Sequence, residues 1–556
     1  MNYLRTYALV VVTLLFAACG EQPTETPPSA AIAMPDTYSA EVASQILSAG
    51  GNAVDAAIAV GFSLAVTLPE AGNIGGGGFM LLWFDGEAEF IDYREKAPLA
   101  SYRDMYIDGD GNVIDGASLQ GYKASGVPGT VAGMWAAHQR HGTLPWAGLI
   151  KPAIDLARDG FVVAEHLANR AAASSSRLEG VGNFSDYFSD LKTGHLFKQP
   201  ELAKTLERIA EHGADGFYAG ATADLIVAEM QRGGGLITLA DLARYEAVWR
   251  EPLNGKWRDY DVLSAPPPSS GGFAVIQLLR IKDFLAHEFE GIDHNSVQYI
   301  HLVAEIEKRV FADRAEYLGD SDYVDVPMER LTSDEYMRMR AQEIDPEYIS
   351  TLNGVAPGLE STDTTHYSIV DKDGNAVSNT STLNLHFGSG VVVEGAGFLL
   401  NDEMDDFSVK PGMPNVYGVV GNTANEIQPG KRPLSSMSPT ILLRNGEVEL
   451  VIGTPGGSTI FTSVFQTIIN ILDFGMTPLE AVSATRFHHQ LLPADLITFS
   501  PLVPLPAEVI SQLSDRGYRA EPHWFSFGDM QVIVRDGDSW DAASDPRNRG
   551  ESRILQ

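Results

Sequence analysis

The chain has one cysteine, Cys19, and it sits at the end of an apolar leader. No disulfide can therefore form within the folded part, whatever the compartment. Basic residues are also scarce, 39 Lys and Arg against 73 Asp and Glu, which gives a formal net charge of −34. A surface of that sign repels phosphates and argues against nucleic acid as a partner. Several catalytic signatures are missing: there is no His-Glu-x-x-His, no cysteine cluster and no Gly-x-Ser-x-Gly elbow. The glycine-rich run Gly72-Asn73-Ile74-Gly75-Gly76-Gly77-Gly78-Phe79 is not followed by Gly-Lys-Ser/Thr. It reads as backbone passing close to other backbone, not as a phosphate cradle. His488 and His489 are adjacent, so on a helix they would point about 100° apart and chelate poorly; they read as a structural pair. The sequence offers no metal or cofactor signature and no repeat of solenoid length.

What is present is a chain of 556 residues, 44% of them hydrophobic, enough for one large or two intimately packed domains. Residues 1–19 read as an export signal. Arg5 supplies a weak positive end, Tyr7–Phe16 is apolar but too short to span a bilayer, and Ala17-Ala18-Cys19 offers small residues for processing. The leader is similar to bacterial lipoprotein signals, which implies lipidation at Cys19; Phe16 departs from the usual leucine. The Pro-, Thr- and Glu-rich stretch that follows reads as a flexible tether over residues 20–33.

Beyond the tether, Ser39–Ala49 and Asn52–Ala65 read as helices broken by Gly50-Gly51, and Phe79–Phe84 with Glu89–Tyr93 as paired strands. Arg94 and Glu95 stand at the strand end. From about Leu119 to Arg340 the pattern is mainly helical, interrupted by the rigid loop Pro266–Gly272, with most charges read as solvated helix faces. After Leu359 strand-like alternation takes over, and helical patterns return at Thr462–Leu472 and Pro478–Ala484. A helical block followed by a sheet-rich block predicts layered α and β elements, an α+β fold.

The chemistry that remains belongs to threonine. Thr364–Val370 and Ala376–Leu383 alternate on either side of the turn Asp371-Lys372-Asp373-Gly374-Asn375, a hairpin signal. A three-residue loop at Lys372–Gly374 pairs Thr364 with Thr382; a two-residue loop pairs it with Leu383. Either way the two threonines come within side-chain reach.

Glu360-Ser361-Thr362-Asp363-Thr364-Thr365-His366-Tyr367-Ser368, with Thr382-Leu383-Asn384, resembles the processing site and first hairpin of γ-glutamyltransferases. Similar motifs continue through Asn401–Phe407, Pro433–Pro439 and Gly453–Ser458, and upstream through Arg94–Pro98, Gly126–Gly129 and Pro266–Gly272. The resemblance implies an N-terminal-nucleophile hydrolase, two central sheets sandwiched by helices. It also implies a precursor cut between Asp363 and Thr364 into a large piece, 34–363, and a small one, 364–556, which build the fold jointly. Cutting frees the α-amine of Thr364, whose reference pKa is about 7.7–8.0 against about 10.4 for lysine. At pH 7.5 roughly a third of such amines are neutral, so the threonine carries its own base.

The same resemblance implies the supporting roles. Thr382 orients the Thr364 hydroxyl, and the N–H groups of Gly456 and Gly457 form the oxyanion hole. Arg94 grips an α-carboxylate with help from Ser435 and Ser436, while Asn384, Glu403 and Asp406 take an α-amine. Lys410–Lys431, rich in Gly, Pro and Asn between two of these motifs, reads as a lid with Tyr417 at its gating position. The implied activity is transfer of γ-glutamyl groups from glutathione or related amides to water, amino acids or peptides, without a cofactor. A cephalosporin or glutaryl acylase of the same fold shares the nucleophile, and an uncleaved binding lipoprotein is the reading from another class.

Overall fold

The structure, a computed structural model, describes residues 29–351, 363–410, 423–523 and 527–556. Its two large sheets use thirteen strands: β1 (Ala30–Met34), β2 (Gly77–Phe84), β3 (Glu87–Asp92), β4 (Val248–Arg250), β5 (Leu253–Trp257), β6 (Tyr260–Ser264), β7 (Asp363–Val370), β8 (Ala376–Asn384), β9 (Thr440–Arg444), β10 (Glu447–Gly453), β11 (Gln531–Asp536), β12 (Ser539–Ser544) and β13 (Glu551–Leu555). Seven of them form a sheet in the order β13-β1-β7-β8-β2-β3-β4, and six form a second in the order β12-β11-β10-β9-β6-β5.

Side-chain alternation stacks these sheets into layers. Ala31, Ala33, Phe79, Leu81 and Phe90 of the first sheet meet Leu263, Ile441, Val451 and Ile533 of the second in one buried cluster. The opposite face of the first sheet, Ile32, Met34, Met80 and Leu82, packs with Ala43, Val54 and Ile58. These come from helices α1 (Thr37–Ser48) and α2 (Ala53–Thr67). The outer face of the second sheet, Val262, Leu442, Leu450 and Ile452, packs with Phe273, Ile306 and Phe461. Those three belong to α4 (Gly271–Phe284), α5 (Val297–Tyr317) and α6 (Thr459–Leu472); α3 (Glu165–Arg177) lies on the first sheet's side. The result is an αββα sandwich, as expected. Helix starts follow local chemistry: Asp36 caps α1 by accepting from Ser39 N at 2.7 Å, and Asn52 with Asp55 forms a capping box on α2.

Strands from both sides of residue 363 share each sheet. β7 and β8 pair with the upstream β1 and β2, and β9 pairs with β6. The glycine run behaves as close-packed backbone: a Cβ on Gly75 or Gly76 would fall 2.0 Å from Leu399 O or 2.1 Å from Thr382 O. Among the described residues no helix is long and apolar enough to cross a membrane.

Three expectations need correction. Residues 30–33, assigned to the tether, are the buried strand β1 between β13 and β7. Alanine is a poor strand former, and a Pro-rich run precedes it, so pairing on both edges decides the conformation. The helical block also contains β4, β5 and β6, too short to interrupt its periodicity visibly. Finally, most charges of α5 are not solvated. Glu305 is buried against Lys308 and Arg309, each at 2.8 Å, and Asp313 lies 3.1 Å from Arg340. Pairing offsets the desolvation that would otherwise forbid them.

Candidate active site

The three-residue turn holds: β7 and β8 pair with Thr364 opposite Thr382. The Thr364 hydroxyl donates to Thr382 Oγ1 at 3.5 Å, a long contact, and Thr382 Oγ1 accepts from Asn384 N at 2.8 Å. The register shifts between Thr382 and Asn384, and Asn384 takes a left-handed φ of 77°. That irregularity turns the chain away from the sheet immediately after the second threonine. Asn73 fixes the end of β8 by donating to Thr382 O at 2.8 Å. His366, two residues along, does not serve Thr364; its ring contacts Thr380 Oγ1 at 2.8 Å and Ser368 Oγ at 3.1 Å. Burial lowers its pKa to about 3, so it is neutral.

Gly456 and Gly457 lie in the turn from β10 into α6, with φ of 138° and 56°. N–H groups entering a helix have no intrahelical acceptor and face outward. A Cβ at Gly456 would sit 2.5 Å from Thr459 Oγ1, so the turn demands glycine sterically as well as conformationally. Gly456 lines the same cavity as Thr364.

Asn384 connects the threonines to a buried ionic cluster. Its side-chain amide donates to Asp402 O at 2.9 Å, and Asp402 N donates to Leu383 O at 3.0 Å. Residues Glu403–Asp406 then form a 3₁₀ turn. From it Glu403 Oε2 lies 2.7 Å from Arg94 Nη1, and Asp406 Oδ2 pairs with Arg94 Nη2. Glu95 adds a third carboxylate at 3.5 Å. The guanidinium also donates to Leu434 O at 3.3 Å and Pro433 O at 3.4 Å, which brings Ser435 and Ser436 to the same place. Burial opposes the charge on Arg94, yet Glu403, Asp406 and Glu95 outweigh it and hold its pKa above the ordinary value. Burial raises the pKa of Glu403 well above the usual carboxylate range despite Arg94, with Glu95 and Asp406 adding to the effect.

The Ser435 segment is clamped by the Pro266–Gly272 loop. Ser270 N and Oγ donate to Ser435 O at 2.7 and 2.8 Å, and Ser435 N donates to Pro268 O at 2.9 Å. Arg314, on α5, donates to Ser270 Oγ at 2.9 Å, and burial brings its pKa down to about 10 against the influence of Asp406. Sequence reasoning passed over Arg314 because it looked like one more charge on a solvated helix. It also gave no role to Asn401, whose amide donates to Gly75 O at 2.8 Å and Gly126 O at 2.9 Å. The family motifs containing Gly126 and Asn401 were the available signal.

One expectation takes a different form. A cationic fork and anionic acceptors were placed at opposite ends of a zwitterion, whereas here Arg94 touches Glu403 and Asp406 directly. Asp363 begins β7 opposite Asn384, so the Asp363–Thr364 bond lies at a strand start. Tyr417 and Cys19 lie outside the described residues. The described end of the proposed lid is tied down: Asn425 Nδ2 donates to Asp406 O at 2.7 Å and Lys431 Nζ to Ala424 O at 2.7 Å. His488 and His489 are a buried structural pair, with His488 bonded to Thr462 Oγ1 and Gln490 Oε1.

A family model described as gamma-glutamyltranspeptidase matches residues 39–555. The chain belongs to this family. It is 57% identical over 526 residues to the glutathione hydrolase proenzyme of Pseudomonas aeruginosa, covering 95% of this chain and 94% of that protein. The Escherichia coli glutathione hydrolase proenzyme is 46% identical over 530 residues, 93% and 90% of the two chains. Among solved structures, the gamma-glutamyltranspeptidase of Pseudomonas nitroreducens complexed with L-DON is 54% identical with a TM-score of 0.57, covering 57% of this chain and 95% of that one. Cephalosporin acylase from Bacillus halodurans overlays with a TM-score of 0.82 over 97% of this chain and 99% of its own, but at 26% identity. The sandwich is thus the N-terminal-nucleophile hydrolase fold shared by these structures.

Proposed function

We propose that the chain is a precursor that cuts itself between Asp363 and Thr364, leaving pieces 34–363 and 364–556. The product transfers γ-glutamyl groups from glutathione or related amides to water or to the amine of an amino acid or peptide. As a family member it is a transferase with glutathione hydrolase activity, in line with the proenzymes it resembles at 57% and 46% identity. The observation that carries the site assignment is the unbroken run of contacts from Thr364 through Thr382, Asn384 and Asp402 to Glu403 and Arg94.

In the precursor the Thr364 hydroxyl attacks the Asp363 carbonyl, the peptide C–N bond gives way to an ester C–O bond, and water releases the upstream piece. The freed amine then serves as base for the same hydroxyl. In turnover that hydroxyl attacks the γ-carbonyl of the substrate. The N–H groups of Gly456 and Gly457 receive the oxyanion, a contribution of about 3–4 kcal/mol per donor. Thr382 orients the nucleophile. The α-carboxylate takes over part of the Arg94 fork, assisted by Ser435 and Ser436, and the α-ammonium takes up the carboxylates of Glu403 and Asp406, with Asn384 beside them. An incoming zwitterion thus exchanges internal ion pairs for external ones, which keeps every buried charge paired.

The acylase reading shares Thr364 but not this cluster, because a glutaryl group has no ammonium for Glu403 and Asp406. Incubation with a γ-glutamyl anilide and a glutaryl anilide side by side separates the two. We expect the first to be cleaved faster by about a hundredfold, the worth of one charge-assisted pair at roughly 1.4 kcal/mol per decade. Equal rates would overturn the assignment.

Residues 1–19 are proposed to direct export, with Cys19 as the lipid-bearing residue of a membrane-anchored form. Growth with a radiolabelled fatty acid should label the wild type and not Cys19→Ser. Equal labelling, or none in either, removes the anchor.

A further inference from the structure

A second space, separate from the Arg94 cluster, reaches the nucleophile. A cavity of about 520 Å³ is lined by Thr364 and Gly456 together with His166, Arg170, His386 and Arg549, and none of Arg94, Glu403, Asp406, Ser435 or Ser436 reaches it. Its wall is cationic in an otherwise acidic protein. Arg549 is already committed, donating to Thr67 O at 2.9 Å with Glu70 at 3.6 Å and Asp36 at 4.0 Å. Arg170, on α3, has no hydrogen bond or close ion pair among the described residues and meets Asp529 only through longer-range electrostatics. Buried polar atoms without a partner also face this region: His166 Nδ1, Thr365 Oγ1 and Arg549 Nε. Burial, then Arg170 and Arg549, lower the pKa of His166 to about 3, so it is a neutral hydrogen-bonding group beside two cations. The lining also holds the half-buried Asp529, whose Oδ1 accepts from Gln531 Nε2 at 3.1 Å; Arg170 and Arg549 both act on this carboxylate electrostatically, so it offsets one of their two charges and leaves the wall cationic.

We infer that this cavity is the amine-side subsite, and that Arg170 binds the carboxylate of the leaving dipeptide or of the acceptor. The inference rests on the γ-glutamyl transfer reading above. The acyl half of the substrate is held by the Arg94 cluster, so the half joined through the scissile nitrogen must extend from Thr364 into other space. An amino acid or dipeptide entering there presents its amine to the γ-glutamyl ester and its carboxylate to the arginine. The amine nitrogen bonds to the γ-carbonyl carbon, the ester C–O bond to Thr364 breaks, and the amine proton passes to the threonine oxygen. A guanidinium that feels an internal carboxylate only at long range binds such an anion without first losing a hydrogen bond.

The test uses the mature full-length enzyme with a γ-glutamyl anilide as donor, and either glycylglycine or glycylglycine amide as acceptor. The readout is the ratio of kcat/KM for acid over amide within each enzyme. We expect the wild type to favour the acid by about ten- to a hundredfold, and Arg170→Ala to bring the ratio near unity. Arg170→Gln provides the same comparison if the alanine variant does not mature. A wild-type ratio near unity, or variants that keep the wild-type preference, would overturn the subsite. Failure of the wild type to cleave the anilide at all would instead refute the transfer reading on which it rests.

Discussion

Thr364→Ala should remain one uncut chain and lose turnover by at least about a thousandfold, because it removes the nucleophile of both reactions at once. The substitution is structurally mild. Thr364 is 8% exposed, and among the described residues its hydroxyl makes one long contact, to Thr382, so the sheet pairing that places it survives. His366, two residues along the strand, cannot substitute because it is engaged with Thr380 and Ser368. Thr364→Ser retains the hydroxyl but loses the branched methyl that limits χ1. It should process slowly and regain measurable activity. Denaturing gels run against time, with a γ-glutamyl anilide assay on the same samples, check both variants. Full activity in the alanine variant would end the threonine mechanism.

Arg94→Lys should weaken apparent affinity for γ-glutamyl compounds by about ten- to a hundredfold, one or two charge-assisted bonds at 1.4 kcal/mol per decade. The guanidinium spans two carboxylates, with Nη1 toward Glu403 and Nη2 toward Asp406. A lysine nitrogen keeps the charge but cannot hold both and also present a fork to the substrate. Lysine is the informative replacement, because alanine would strand Glu95, Glu403 and Asp406 in a buried site and destabilise the fold. Self-cleavage uses no head group and should continue. Asp406→Asn should damage use of γ-glutamyl compounds while doing little to residual glutaryl cleavage, since only the former carries an α-amine. If both variants mature and retain the wild-type KM for γ-glutamyl anilide, the substrate assignment is wrong, while the assignment of Thr364 as nucleophile is untouched.

Local signals were readable where one interaction range decides the structure. The turn Asp371–Asn375 sets the hairpin register, and with it the facing pair Thr364 and Thr382. Gly50-Gly51 separates the first two helices. Elements decided by distant partners were not readable. Ala30–Met34 becomes a strand because β13 and β7 pair with its two edges, hundreds of residues away in sequence. The charges on α5 looked solvated because their partners, Ser350 and Arg340 among them, come from other segments. The site divides in the same way. Its residues were named by resemblance, but nothing in their spacing shows that Arg94 grips Glu403 and Asp406 directly, or that Arg314 stands behind Ser270. The first depends on the Glu403–Asp406 turn folding back onto the end of β3, the second on α5 packing against the Pro266–Gly272 loop.

The central claim is that Thr364 becomes a chain terminus, since only then does its amine supply the base. N-terminal sequencing of the mature, active protein separated on a denaturing gel tests this most directly. The account predicts two polypeptides without a covalent link, the smaller beginning Thr-Thr-His-Tyr-Ser. A single full-length band with robust γ-glutamyl anilide cleavage would contradict it.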